Sequence, residues 1–192
     1  MFMPLAPLVT PVRRPLAQLL HELRALGDLH RHVADVDARL DGLRLPLERI
    51  LPALMLPRHG YARTLFHRDD AFELLVLAWS PGSAAPVHDH DGQDCWFVPL
   101  AGVFELHDYA LVEEHGARAT LAALRVRRVG EGELDRRDAD EPLHAVTPVT
   151  PLALSLHLYA RPIDRCRVFD AARGTWAWQR LGYDAVAPEI GR

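Results

Sequence analysis

Leucines at positions 16, 19, 20, 23 and 26 recur every three or four residues, which lays one apolar stripe along a helix. Pro15 suits its first position and Gly27 interrupts it. Val33, Val36 and Leu40 predict a second helix around residues 30–41, ended by Gly42. A third, shorter helix is predicted around 46–55, between Pro46 and Pro57. These stripes read as faces that pack on a sheet. From Tyr61 the pattern becomes that of strands. Phe72 to Trp79 is an apolar run closed by the turn signal Ser80-Pro81-Gly82. Cys95 to Leu100 leads into Ala101-Gly102, and Val103 to Leu106 resumes, which predicts a hairpin around Gly102. Further short runs follow at 109–112, 119–129, 143–147, 152–159 and 166–170, and a last hairpin turns at Ala172-Arg173-Gly174 before Thr175 to Trp178. Pro99 cannot donate to a ladder, so it belongs at an edge or a bulge.

The expectation is a mainly β chain: one domain over 1–192, helical to about residue 58, then an antiparallel β-barrel or sandwich over about 59–180. Composition agrees. The 192 residues are 49% hydrophobic and 25% charged, as in an ordinary soluble globular domain. A net charge of −4 gives no footprint for nucleic acid. All 22 basic residues are arginine, which excludes a lysine Schiff base and a P-loop lysine. No run approaches the ~18 apolar residues of a membrane span. The start, MFMPLAPLVTPVRR, places its charge after the apolar stretch, the reverse of a secretory signal. Only Cys95 and Cys166 could pair, so reduced thiols in a cytoplasm are expected, with a monomer favoured.

Chemistry concentrates in two places. In His88-Asp89-His90, a strand would turn both histidines to one face roughly 6–7 Å apart and Asp89 to the other. Neutral imidazoles suit zinc, iron, copper or nickel. Gly82 stands six residues before His88 and Gly102 twelve after His90. That G-x5-H-x-H-x11-G string resembles the first motif of the cupins, with Cys95 at its glutamate-ligand position. Spacing leaves His107, His115, His144 and His157 open as a third ligand. Pro142-Leu143-His144 resembles the start of the second cupin motif, whose asparagine position holds Pro148. The other place is Ser155-Leu156-His157-Leu158-Tyr159, where alternation puts Ser155, His157 and Tyr159 on one face. A hydroxyl–imidazole–phenol chain there would satisfy its own members, sparing ~1–3 kcal/mol per unpaired buried group.

The segments YARTLF (61–66), LAWSPGSAAPVHDH (77–90), CWFVPLAGVFEL (95–106), LHAV (143–146) and SLHLYARPIDRC (155–166), continued by RVFD, together resemble the cysteine dioxygenase family of thiol dioxygenases. The resemblance implies a cupin-type, jelly-roll-like barrel holding one Fe(II) per chain on His88, His90 and His144. It implies that Arg63 binds a substrate carboxylate with help from Tyr61, and that Tyr159 acts with His157 and Ser155 as its relay. It matches Cys95 to a cysteine that becomes thioether-linked to that tyrosine, and Trp79 and Cys166 to the pocket wall and entrance. The implied reaction adds O2 to the sulfur of L-cysteine, giving cysteine sulfinic acid. Two departures bear on this. Many bacterial relatives have glycine at Cys95. Cysteine-specific members follow the tyrosine with Ser-Pro-Pro, which shapes a cis peptide, whereas this chain has Ala160-Arg161-Pro162. Arg161 then either faces solvent or supplies a second cation for another thiol carboxylate, such as 3-mercaptopropionate or mercaptosuccinate. A non-catalytic metal-binding cupin is the remaining alternative.

Overall fold

A computed structural model describes residues 13–138 and 143–188; most of the N-terminal MFMPLAPLVTPVRR stretch, and the Pro142 of the second motif, lie outside them. Three helices come first: α1 (Leu16–Leu26), α2 (Val33–Leu40) and α3 (Leu47–Ile50), with short 3-10 turns at Leu29–Arg31 and Leu51–Ala53. Pro15 caps α1 rather than opening it, and Gly27, at φ 74°, terminates it. An eleven-residue helix is marginal on its own, so what holds α1 is the burial of Leu16, Leu19, Leu20 and Leu23.

Among the described residues, twelve strands follow in two sheets. One has the order β12 (Ala185–Val186), β1 (Tyr61–Arg68), β2 (Glu73–Trp79), β9 (Ala153–Tyr159), β4 (Cys95–Ala101), β7 (Asp135–Arg137). The other joins β10 (Arg165–Asp170), β11 (Thr175–Arg180), β6 (Arg118–Val129), β5 (Phe104–His115), β8 (Leu143–Pro148) and β3 (Ala85–His88) into a ring. The ring closes through single pairings, Val168 with His88 and Thr175 with Arg118. The protein is mainly β, with a cupin-type barrel behind N-terminal helices, as the sequence predicts.

The helices cover the outside of the first sheet. Leu74 and Val76 of β2, Leu154, Leu156 and Leu158 of β9, and Trp96 and Val98 of β4 share one core with the leucines of α1 and α2. The opposite side of the same strands, carrying Leu75, Trp79, Cys95, Phe97 and Tyr159, packs against Phe104, Leu106 and Val146 of the second sheet. Burial on both faces explains why β2 and β4 read as unbroken apolar runs.

Three local expectations change. Gly102 does not turn a hairpin: β4 pairs with β9 and β7, whereas β5 pairs with β6 and β8. It is the corner where the chain crosses between sheets, at φ 80°, and a Cβ there would collide with the Leu152 carbonyl oxygen. The runs 103–106 and 109–112 are one strand, β5, interrupted by a register shift at Asp108/Tyr109. His90 lies just beyond β3, which ends at His88. Pro99 does sit at a register shift in the β4–β9 pairing, beyond the short reach of β7.

Candidate metal centre and active site

The barrel brings three histidines together. His88 ends β3 and stands directly across from His144 on β8, and His90 follows two residues after His88. One ligand nitrogen from each lies within 4.8 Å of the others. The His88 Nδ1–H donates to the Pro86 carbonyl at 2.9 Å, so Nε2 carries the free lone pair. His144 turns Nδ1 toward Asp135 Oδ2, 4.0 Å away. Burial lowers the pKa of both rings, and neighbouring His88 and His90 lower that of His144 further. Both are therefore neutral at pH 7, the form that binds a metal. Asp89 points away, as alternation requires: its carboxylate accepts from the Arg167 backbone N–H at 2.8 Å and from Arg167 Nε at 2.7 Å. Of the other histidines the spacing left open, His107 pairs with Glu105, His115 is exposed on the β5–β6 hairpin, and His157 bonds Ser155.

Beside the trio is a cavity of about 50 Å³, whose wall includes His88, His90, Tyr61, Arg63, His157 and Tyr159. Arg63 contributes a buried guanidinium whose Nη1 and Nη2 have no hydrogen-bond partner. Its backbone is fixed on both sides by Asp184, which accepts from the Arg63 N–H through Oδ2 and donates its own N–H to the Arg63 carbonyl, each at 2.8 Å. Burial raises the Tyr61 phenol, and Arg63 opposes that rise.

Ser155, His157 and Tyr159 share the cavity-side face, but the polar chain through them differs from the one predicted. Trp79 Nε1–H donates to Ser155 Oγ at 2.9 Å, so the serine proton turns to His157 Nε2, also at 2.9 Å. This leaves the imidazole proton on Nδ1. Burial, with Arg63 adding to it, pushes the His157 pKa down to about 3. The chain stops there: the His157 and Tyr159 rings lie near-parallel, 6.4 Å apart between centroids. The phenol instead meets the Cys95 thiol, its cross-strand partner in the β4–β9 pairing. Burial raises both groups, so each is protonated at pH 7.

Two predicted substrate contacts fall elsewhere. Trp79 packs on Tyr61, with centroids 4.7 Å apart and the rings tilted by 40°, donates to Ser155, and is not among the residues that line the cavity. Arg161 is exposed beyond β9, its backbone N–H donating to Gln93 Oε1, and its side chain does not line the cavity. The described peptide bonds are all trans. Cys166 does line the cavity, its thiol pushed up to about 11 by burial. Sequence reasoning missed two acids. Glu73 is buried behind Arg63, and Asp135, bridged to the buried Arg137 at 2.8 Å, is buried behind His144. The signal for Glu73 was an acid inside an apolar run; Asp135 lay in a polar stretch that reads as loop.

Residues 51–172 match the family model described as cysteine dioxygenase type I. The chain belongs to that family. The cysteine dioxygenase type 1 of Homo sapiens is 28% identical over 163 residues, covering 83% of this chain and 79% of the human protein. That of Rattus norvegicus is 29% identical over the same length and coverage. Among solved structures, a double-stranded β-helix domain protein from Klebsiella pneumoniae is similar with a TM-score of 0.47 and 12% identity, covering 69% of this chain and 95% of that one. The family match spans the histidine trio, Arg63, Cys95 and Tyr159; α1, α2 and the segment after residue 172 lie outside it. Among the described residues no helix is long and apolar enough to cross a membrane.

Proposed function

We propose that the protein is a non-haem Fe(II) dioxygenase that adds both atoms of O2 to the thiol sulfur of L-cysteine, giving cysteine sulfinic acid. The observation that carries this reading is the convergence of three imidazoles, two of them on the cavity wall, beside a buried guanidinium whose terminal nitrogens are unsatisfied. The donor set fits ferrous iron, one per chain, on His88, His90 and His144. Bound there, iron would supply a Lewis-acidic, redox-active centre with open positions for thiolate and O2.

The chain's own groups do the rest. Three neutral ligands leave the metal's charge uncompensated, which favours an anionic thiolate. Arg63 grips the substrate carboxylate in a two-bond fork, which fixes where the sulfur can lie. Tyr61 lies beside it on the cavity wall. Ser155 holds His157, a cavity-lining residue, in one tautomer with its proton on Nδ1. Tyr159 lines the cavity near His90 and stands across from Cys95, to which a thioether would fix it. A thiol with one carboxylate is favoured over the dicarboxylate mercaptosuccinate because the cavity's guanidinium is Arg63, with Arg161 outside, and among such thiols L-cysteine is the one the family match suggests. The unpaired thiols of Cys95 and Cys166 suit a reducing cytoplasm.

Iron-loaded protein offered L-cysteine, 3-mercaptopropionate and mercaptosuccinate in turn should take up O2 fastest with L-cysteine and release its sulfinate. Arg63→Ala should lose tens- to thousands-fold in kcat/KM, from ~2–5 kcal/mol for one buried charge-assisted pair, while iron stays bound. Iron-loaded protein that takes up no O2 with any of these thiols overturns the proposal.

A further inference from the structure

Glu73 opens β2 and is fully buried. It stands on the cavity-side face with Leu75 and Trp79, paired across strands with Arg68 on one side and Tyr159 on the other. Its Oε2 accepts from Arg68 Nη1 at 2.8 Å and from the Tyr183 hydroxyl at 2.7 Å. Its Oε1 accepts nothing and lies 3.8 Å from Arg63 Nη2, which likewise has no hydrogen-bond partner. Two desolvated, opposite charges thus face each other at ion-pair distance, each with unused capacity on the facing atom. Glu73 does not line the cavity, and the cavity-lining group that its free oxygen faces is the Arg63 guanidinium.

We infer that Glu73 is a positioning residue for Arg63: its carboxylate holds one edge of the guanidinium, so that the other edge is presented to a substrate carboxylate. This rests on the proposed role of Arg63. A guanidinium carries five N–H donors in a rigid plane, and a two-bond fork uses one edge of it. Without an anchor that plane turns freely about its long side chain, and binding must pay to fix it.

The anchor is itself braced. Tyr183 donates its hydroxyl proton to Glu73, accepts from Arg68 and sets its ring 5.9 Å from the Arg63 guanidinium carbon. Its neighbour Asp184 clamps the Arg63 backbone, and β12 then runs parallel to β1. These C-terminal residues lie beyond the 51–172 match to the family, so the Arg63 setting is partly built by a segment outside the matched region. Burial raises the Glu73 carboxyl above its ordinary value, and Tyr183, Arg68 and Arg63 each oppose that rise.

The test compares wild type, Glu73→Gln and Tyr183→Phe, all iron-loaded. The substrates are L-cysteine, 3-mercaptopropionate and cysteamine, a thiol without a carboxylate. Anaerobic calorimetric titration with L-cysteine and iron analysis are run alongside. Glu73→Gln should raise KM for both carboxylates, and Kd for L-cysteine, about five- to twentyfold, with kcat within twofold, iron unchanged and the cysteamine parameters unmoved. Tyr183→Phe should shift the same quantities in the same direction by a smaller factor, and it decides the matter if the Glu73 variant does not fold. KM for the carboxylates within twofold of wild type in the variants that fold overturns the inference, as does an equal rise for cysteamine. Those results leave the dioxygenase reading standing, because wild type would still turn over. Wild type that neither binds nor oxidises any thiol carboxylate overturns both.

Discussion

Strands β2, β9 and β4 bury both faces, and the two faces are built from different chemistry. Toward the helices stand Leu74, Val76, Leu154, Leu156, Leu158, Trp96 and Val98, closed over by the leucines of α1 and α2. Toward the barrel interior the same strands carry Glu73, Trp79, Ser155, His157, Tyr159 and Cys95, every one of them buried. On the helix side little needs a specific partner, and what matters is volume. On the barrel side some polar atoms are matched, as in the Trp79–Ser155–His157 chain, and others are left open at the cavity or one residue behind it, as in Arg63 and Glu73. Since an unmatched buried polar group costs ~1–3 kcal/mol, the open ones mark where a ligand is expected. One face holds the fold and the other spends stability on a site.

The hardest way to break that comparison is to remove a metal ligand. His144→Ala should abolish stoichiometric iron and turnover while leaving the melting profile of the metal-free protein close to wild type. Its Nδ1 makes no hydrogen bond that would be lost. The loss should exceed the ~10–100-fold typical when only a group supporting a ligand is removed. Full iron and full turnover in that variant would move the centre elsewhere, with His157 the next candidate.

The helix side is probed from one residue away from the site. Leu156 lies between Ser155 and His157 in sequence, is fully buried, and faces α1 and α2. Leu156→Ala should cost ~2–5 kcal/mol through lost packing and a cavity, lowering the melting temperature by roughly 5–20 °C. Well below that temperature kcat should stay within twofold of wild type and iron content should not change. A large fall in kcat at low temperature would show that the two faces are not separable.

The legibility of the sequence followed the same division. The leucine stripes and the alternation in SLHLY depend on local periodicity, and both faces appear where the pattern puts them. The HDH spacing also held its consequence, converging His88 and His90 with Asp89 turned out, although His90 is past the strand end. What local pattern could not carry was pairing between distant strands. Gly102 looks like a hairpin because turn chemistry is the same whether the next strand folds back or crosses to another sheet. Intrastrand spacing likewise suggests a direct His157–Tyr159 link that the structure does not make, whereas the Cys95 partner, expected from the family resemblance and not from periodicity, stands opposite Tyr159 in the cross-strand register. Family resemblance puts Trp79 on the pocket wall, yet it is absent from the cavity lining, and of the two alternatives for Arg161 the exposed one fits its position. Glu73 and Asp135 acquire meaning only through residues on other strands, Arg63 and Tyr183 for one and His144 for the other.

The finest distinction on the barrel side concerns Cys95, which is either a small apolar filler or a reacting group. Its register opposite Tyr159 puts both side chains on one face, and the phenol and thiol are in contact. Burial keeps the thiol protonated, so a bond between them would form by oxidation rather than by thiolate attack. Joining sulfur to an ortho carbon of the phenol removes one hydrogen from each partner, and O2, the co-substrate of the proposed reaction, would take up the two electrons and two protons and leave as hydrogen peroxide. Intact-protein mass after turnover with L-cysteine should therefore show a species two hydrogens lighter, absent in both Cys95→Ala and Tyr159→Phe. The link would freeze a ring already confined on both sides by strand packing, so it adds orientation and no new contact. Cys95→Ala should accordingly lose less than the tenfold in kcat/KM that ~1.4 kcal/mol of orientation would supply. A mass unchanged by turnover would make Cys95 a packing residue and leave the iron site, Arg63 and the helix face as they are.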